Sequence, residues 1–337
     1  MARRARGGES GGKAAPRRGR LLRWILVGLV VAAVIAGSVV WLNREKFVPE
    51  GCTVKTAAGA GTLEIPQAAN AATISAVAHS RGLPDRAVTI ALATAMQESK
   101  IRNLTGGDRD SAGLFQQRPS QGWGTYEQIK DPVYATNKFL DGLVKVPGYT
   151  RLPLTDAAQQ VQRSGYPQAY AKHETKATLL ASSLTGREPG SFTCVVHDFA
   201  TPDSADTPSG QPGGVTSSTS PAAAPDRTQQ LTERVRREFG RTVTAADGYT
   251  SAIKGAEHAV ALTPEPSSST DSGPEAAREN GWAVAHWAVA QAQQLGIATV
   301  AYDGKIWRMA KSTEGWKPLG TGTSTTLVQV TLAAPKG

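Results

Sequence analysis

The apolar positions of the chain change their spacing several times, and each change marks a boundary. From residue 24 to residue 42 they run unbroken, WILVGLVVAAVIAGSVVWL. These nineteen residues carry no charge, which is about the length a helix needs to cross a hydrocarbon core. Trp24 and Trp41 stand at the two ends, where tryptophan favours the headgroup interfaces. A cleaved signal peptide is the rival reading, with Val34-Ile35-Ala36 as its small-residue site. The run continues past Ala36 to Leu42, however, longer than a usual signal core. The expectation is a retained single-pass anchor in contact with membrane lipid, N-terminus cytoplasmic, with everything beyond about residue 45 extracytoplasmic.

Between residues 61 and 197 the spacing becomes helical and the helices punctuate themselves. Pro66 opens QAANAATISAVAHSRG, which closes at Gly82. Pro84-Asp85 opens the next, with Val88, Leu92, Ala95 and Ser99 or Met96 on one face. Asp131 as N-cap and Pro132 at the first helical position start PVYATNKFLDGLVKV. Thr155-Asp156 starts DAAQQVQRS, and PQAYAKHETKATLLASSLTG ends at Gly186. No alternating run suggests a substantial sheet here. The pattern predicts an all-α domain with long loops at 103–125 and 145–154, preceded by a stalk at 43–60.

Large apolar residues then all but vanish. Residues 200–227 are rich in Pro, Ser, Thr and Gly, a composition that cannot bury enough surface to fold and reads as a linker. From Leu231 the pattern is globular again. GWAVAHWAVAQAQQLG reads as a helix capped at Gly296. IATVAYDGKIWRMA alternates and turns at Asp303-Gly304, a hairpin signal. The expected organisation is a basic tail (1–23), an anchor (24–42), the stalk, a helical domain (61–197), a disordered linker (198–228) and a small α+β accessory domain (229–337). The fold class is mainly α.

Charge and cysteine refine this picture. Of the net charge of +9, seven units lie in residues 1–23. The basicity belongs to the tail and gives no support for a nucleic-acid-binding domain. Cys52 and Cys194 bracket the helical stretch with no cysteine between them. In an oxidising compartment such a pair reads as a disulfide tying the ends of a domain together.

The chemistry concentrates at residues 95–120, AMQESKIRNLTGGDRDSAGLFQQRPS. Glu98 falls on the last turns of an apolar helix, where a carboxylate sits against the helix dipole, so a functional reason for it gains weight. A carboxylic acid beside a groove can protonate a glycosidic oxygen if neighbours hold the sugar. Asp110 or Asp108 is the candidate second carboxylate, and Gln116 and Gln117 are candidate amides for the sugar. Ser99 adjoins the acid, while Trp123, Tyr166 and Tyr170 are among the aromatics that can stack on a sugar face. Asp-x-Asp-Ser-Ala-Gly lacks the closing Glu of a calcium loop, and neither a metal nor a cofactor is expected.

Glu98-Ser99 closing a helix, followed by SAGLFQQRP at 111–119, resembles the goose-type lysozyme and soluble lytic transglycosylase superfamily. Gly113, Leu114, Gln116 and Pro119 match its Gly-Leu-x-Gln-x-x-Pro segment, with Phe115 where Met is common. The wider pattern is similar to lysozyme-like domains of actinobacterial cell-wall proteins. The resemblance implies an all-α lysozyme-like fold over about 65–190, Glu98 as acid/base, and peptidoglycan glycan strands as substrate. The family's later Ala-Tyr-Asn-x-Gly segment has VQRSGYP as its counterpart, with Gln162 and Arg163 at the Tyr and Asn positions. Hydrolysis and anhydro formation therefore both stay open.

The C-terminal GWAVAHWAVAQAQQLGIATVAYDGKIWR resembles a module related to zinc D,D-peptidases. His258 is present, but the Gly and Ala of the zinc motif are missing, Glu265 takes the Asp place, and no His follows His286. Three protein ligands for zinc are not assembled, so the module is expected to be non-catalytic. Two functions follow: a peptidoglycan glycosidase using Glu98, or a binding scaffold linking membrane to wall. Protein partners are left open.

Overall fold

Helices form where the caps and prolines placed them, but strands frame them. The computed structural model describes residues 17–42, 48–199, 226–249, 253, 259–265, 273–320 and 323–333. It divides into two units, residues 1–48 and 49–337. In the first unit α1 spans Arg17–Leu42. In the second, strands β1 (Gly51–Thr56) and β2 (Gly59–Leu63) lead into α2 (Ile65–Ser80) and α3 (Asp85–Ser99). Then come α4 (Tyr126–Lys130), α5 (Pro132–Leu143), α6 (Leu154–Gln162), α7 (Glu174–Leu184) and β3 (Phe192–Val195). Beyond residue 225 follow α8 (Arg227–Phe239), β4 (Val243–Ala246), β5 (Ala259–Pro264), α9 (Pro274–Ala290) and α10 (Ala292–Leu295). Strands β6 (Ile297–Tyr302), β7 (Lys305–Arg308), β8 (Lys317–Pro318) and β9 (Val328–Leu332) complete the described chain.

Local chemistry accounts for the helix ends. Glu64 and Gln67 make a reciprocal capping box for α2, with Pro66 between them. Asp131 caps α5 through Val133 N–H (3.0 Å) and holds Arg237 of α8 with its other oxygen. The segment from Pro167 winds first as a 3-10 helix to His173 before α7 begins. Asp303 (φ 48°) and Gly304 (φ 74°) are both left-handed, the backbone a two-residue hairpin between β6 and β7 demands.

Two expectations are corrected. First, among the described residues no helix is long and apolar enough to cross a membrane, so the transmembrane helix expected over 24–42 is not found. The segment is nonetheless helical, its Leu, Ala and Arg being good helix formers. It includes Arg17, Arg18, Arg20 and Arg23 in its opening turns and Gly28 inside. Side chains at the expected far end, Trp41 included, lie outside the described residues.

Second, the architecture is α+β rather than mainly α. The expected stalk holds β1 and the first two residues of β2, which join β3 in an antiparallel sheet ordered β2-β1-β3. Cys52 and Cys194 are directly opposed in its register and form the disulfide. The second sheet, ordered β4-β5-β9-β6-β7-β8, is antiparallel at every pairing.

The helical stretch and the C-terminal segment contribute to one apolar core. Buried side chains form one cluster running from Cys52 to Leu332. Helix α9 packs on α2, α7 and β3 as well as on its own sheet, and carries buried residues on every side from Gly281 to Ala290. Such an all-round apolar helix needs partners on all sides. Gly186 permits close contact, since a Cβ there would lie 1.8 Å from Glu279 O. The basic tail before residue 17, the linker at 200–225 and His258 lie outside the described residues.

Candidate functional site

Glu98 owes its position to the way α3 ends. Lys100 and Ile101 both take left-handed backbone (φ 57° and 59°), costly for non-glycine residues. Side chains of α2 hold that turn: Gln67 Nε2 donates to Lys100 O (2.7 Å) and Asn70 Nδ2 to Ile101 O (2.9 Å). Ser99 is buried, and its hydroxyl serves Ala95 O (3.1 Å) and Leu114 O (2.7 Å), pinning the following loop to the helix end.

The loop at 103–118 is internally braced. Leu104 pairs with Gly113 and Ala112 with Gln117. Gly113 has φ 79°, and a Cβ there would lie 2.1 Å from Ile129 O, so only glycine fits. Phe115 stacks on Phe139 at 4.7 Å. Gln116 is tied back by Ser111 Oγ (3.0 Å) and donates to Gly113 O (3.1 Å). Gln117 is buried and donates to Ala135 O (3.1 Å), leaving its Oε1 without a partner.

Asp110 is a clamp within this loop. It accepts from Arg118 Nε (2.7 Å), Ser120 N–H (2.8 Å) and Ser120 Oγ (3.1 Å). The Ser120 backbone N–H, then Arg118 and the Ser120 hydroxyl, hold its carboxyl well below the usual range. Both oxygens are engaged at neutral pH, which leaves Asp110 poorly placed to activate water. Asp108 is almost fully exposed, with Arg109 4.0 Å away.

Glu98 is half-buried. Its Oε1 accepts a 2.7 Å hydrogen bond from the hydroxyl of Tyr170, itself fully buried. Burial, reinforced by the negative Glu98, raises the Tyr170 hydroxyl's pKa despite an opposing contact from Ser164. Tyr170 therefore stays a proton-bearing donor aimed at the carboxylate. Next to this pair, His173 Nε2 lies 3.2 Å from Gln97 Oε1. The sequence marked Tyr170 only as an aromatic for stacking. Its role as the partner of Glu98 depends on a contact across 72 positions, for which local spacing holds no signal.

The other expected residues divide by access. Ser99 and Gln117 face inward and act on backbone groups. Tyr166 is 79% exposed. Trp123 lines a groove of about 680 Å³ together with Lys145, Val146, Val161, Gln162 and Arg163. Glu98 is not among the lining residues. Gln162 Nε2 donates to Phe115 O (2.9 Å), so the groove wall and the loop after Glu98 are joined.

In the C-terminal segment, His286 is buried, its Nδ1 2.7 Å from Ser183 O and its ring among Trp282, Trp316 and Phe192. Among the described residues no group of three or more His, Cys, Asp or Glu side chains could hold a metal ion.

Compared with known proteins, residues 220–328 match the family described as VldE, C-terminal domain. The C-terminal module is thus similar to a recognised one, over about a third of the chain. No curated protein matches the chain.

Proposed function

We propose that the chain is an extracytoplasmic glycosidase of lysozyme-like type acting on the glycan strands of peptidoglycan, with Glu98 as general acid. The observation that carries this reading is the half-buried Glu98 carboxyl held by the hydroxyl of buried Tyr170 (2.7 Å) at the end of α3. The Glu98-Ser99 pair and the Gly113-Leu114-x-Gln116-x-x-Pro119 segment support it from the sequence. The disulfide supports placement in an oxidising compartment.

Glu98, in its acid form, gives its proton to the bridging oxygen as the C1–O bond of an N-acetylmuramyl unit breaks. With Asp110 occupied by Arg118 and Ser120, the acetamide oxygen of that sugar closes on C1 instead. Water then opens the intermediate, or the sugar's own 6-hydroxyl does, and Glu98 regains its proton. The C-terminal segment buttresses α2 and α7.

The second reading is a wall-binding scaffold without activity. It is favoured by Gln162 and Arg163 at the positions of the family's Tyr and Asn, with Gln162 spent on Phe115 O. Digestion of insoluble peptidoglycan by the oxidised protein and by Glu98→Gln, with released muropeptides weighed by mass spectrometry, decides between them. Release by the wild type alone upholds the glycosidase, and a water-sized mass difference separates hydrolysis from anhydro formation. Co-sedimentation with no release from either protein sinks it.

A further inference from the structure

The groove beside the candidate catalytic loop carries charge of one sign. Lys145 follows α5 and Arg163 caps α6 in left-handed backbone (φ 51°). No lining residue is acidic, and among the described residues neither cation has a carboxylate partner. Val146 and Val161 are buried beneath them and form an apolar floor, with Trp123 part-exposed in one wall. The last carbonyls of a helix lack intrahelical donors, so the end of α6 offers acceptors to sugar hydroxyls. An aromatic face, amide and carbonyl groups, and two unpaired cations form a combination suited to one ligand chemistry.

We propose that this groove binds a glycan segment bearing carboxylates, with a sugar face on Trp123 and a carboxylate between Lys145 and Arg163. A neutral chitin-like chain satisfies Trp123 and the amides but leaves both cations unused. A muramyl unit adds a carboxylate, from its lactyl group or its stem peptide, and uses them. The groove then sets which strand is accepted while Glu98 performs the cleavage. This rests on the glycosidase reading for the identity of the sugar, and not for the charge preference itself.

The test is calorimetric titration of the full-length oxidised Glu98→Gln protein, which holds ligand without cutting it. The probes are chitobiose, the N-acetylglucosaminyl–N-acetylmuramic acid disaccharide and the same disaccharide with a tetrapeptide stem. At about 20 mM salt the acidic probes should bind about fivefold tighter than chitobiose, from two solvent-exposed charge contacts. The preference should vanish in Lys145→Gln/Arg163→Gln and at about 0.5 M salt, where exposed charges are screened. Trp123→Ala should weaken all three probes alike. Tighter binding of the peptide-bearing probe supports the proposal and places the carboxylate on the stem. Equal affinities, no binding by any probe, or a preference that survives in the double variant overturns it. Wall digestion by the wild type is scored separately. Charge preference without muropeptide release keeps the groove and removes the glycosidase, whereas release without preference does the reverse.

Discussion

On the proposed glycosidase reading, Tyr170 bears on the chemistry through a single atom. Replacing it by Phe keeps the ring in its buried site and removes only the donor to Glu98. A hydrogen bond to a charged group is worth about 1.5–3 kcal/mol, so muropeptide release should fall about tenfold to hundredfold with the fold retained. An unchanged rate in Tyr170→Phe would remove Tyr170 from the mechanism. Asp110 should behave differently. Its carboxyl titrates lower in the fold than in the unfolded chain, so the clamp is intact above the ordinary carboxylate range and is lost as pH falls below it. Asp110→Asn should speed amide exchange at Ser120 and across 103–118 at neutral pH while Glu98 stays in place. Equal exchange in both proteins would show that the loop needs no clamp. The type of residue at each position was legible in the sequence. Which of them turn inward, as Ser99 and Gln117 do, was not, because a buried amide and a sugar-binding amide read alike in one dimension.

Among elements, the junction of α2, α8 and α9 concentrates the buried ionisable groups. Glu238 on α8 accepts from Thr73 Oγ1 (3.0 Å) and Trp287 Nε1 (2.6 Å), with Arg234 at 3.3 Å. Burial pushes its pKa up, against Arg234 and both donors. A carboxyl raised in the fold stabilises below its unfolded value, and that contribution is lost as pH rises through the folded one. His286 behaves oppositely. Burial depresses it to about 4 from the usual 6.5, so its contribution is full above 6.5 and is lost as pH falls toward 4, about 3 kcal/mol in all. His79, edge-on to Phe239, is also lowered by burial, with Asp85 opposing. Urea denaturation across pH 4–8 should therefore give stability that declines toward both ends. Glu238→Gln should flatten the alkaline side and His286→Gln the acid side. Slopes unaltered by either substitution would mean these groups titrate as they do in the unfolded chain. The Asp131-Pro132 start and the Asp303-Gly304 turn were readable because each is fixed by neighbours in sequence. The sheet of β1, β2 and β3 was not: its strands are short, and two of them meet across the disulfide separation of 142 residues.

At the scale of the whole molecule, buried side chains before residue 198 and after residue 228 belong to one cluster. Helix α9, apolar on every side, held that information: a helix of a free-standing small domain would show a polar face to water. Side chains beyond it in the C-terminal segment reach across as well. Trp307 Nε1 donates to Cys194 O (3.1 Å), Trp316 Nε1 to Phe192 O (2.7 Å), and Gln291 Nε2 to Ala69 O (3.2 Å). Removing either half would expose apolar surface and strand these donors, each of which is costly to leave buried and unmet. Residues 49–337 should accordingly unfold in one transition. Far-UV dichroism follows mainly the helices of residues 65–184, and tryptophan fluorescence mainly Trp282, Trp287, Trp307 and Trp316. The two denaturation curves should superimpose, and reducing the Cys52–Cys194 bond should shift both together by about 4–5 kcal/mol on the loop-entropy model. Because the disulfide joins β1 to β3 and Trp307 bonds to the carbonyl of Cys194 itself, the C-terminal tryptophans should feel reduction as strongly as the helices do. Separated curves, or reduction that shifts the dichroism alone, would show two folding units that merely touch.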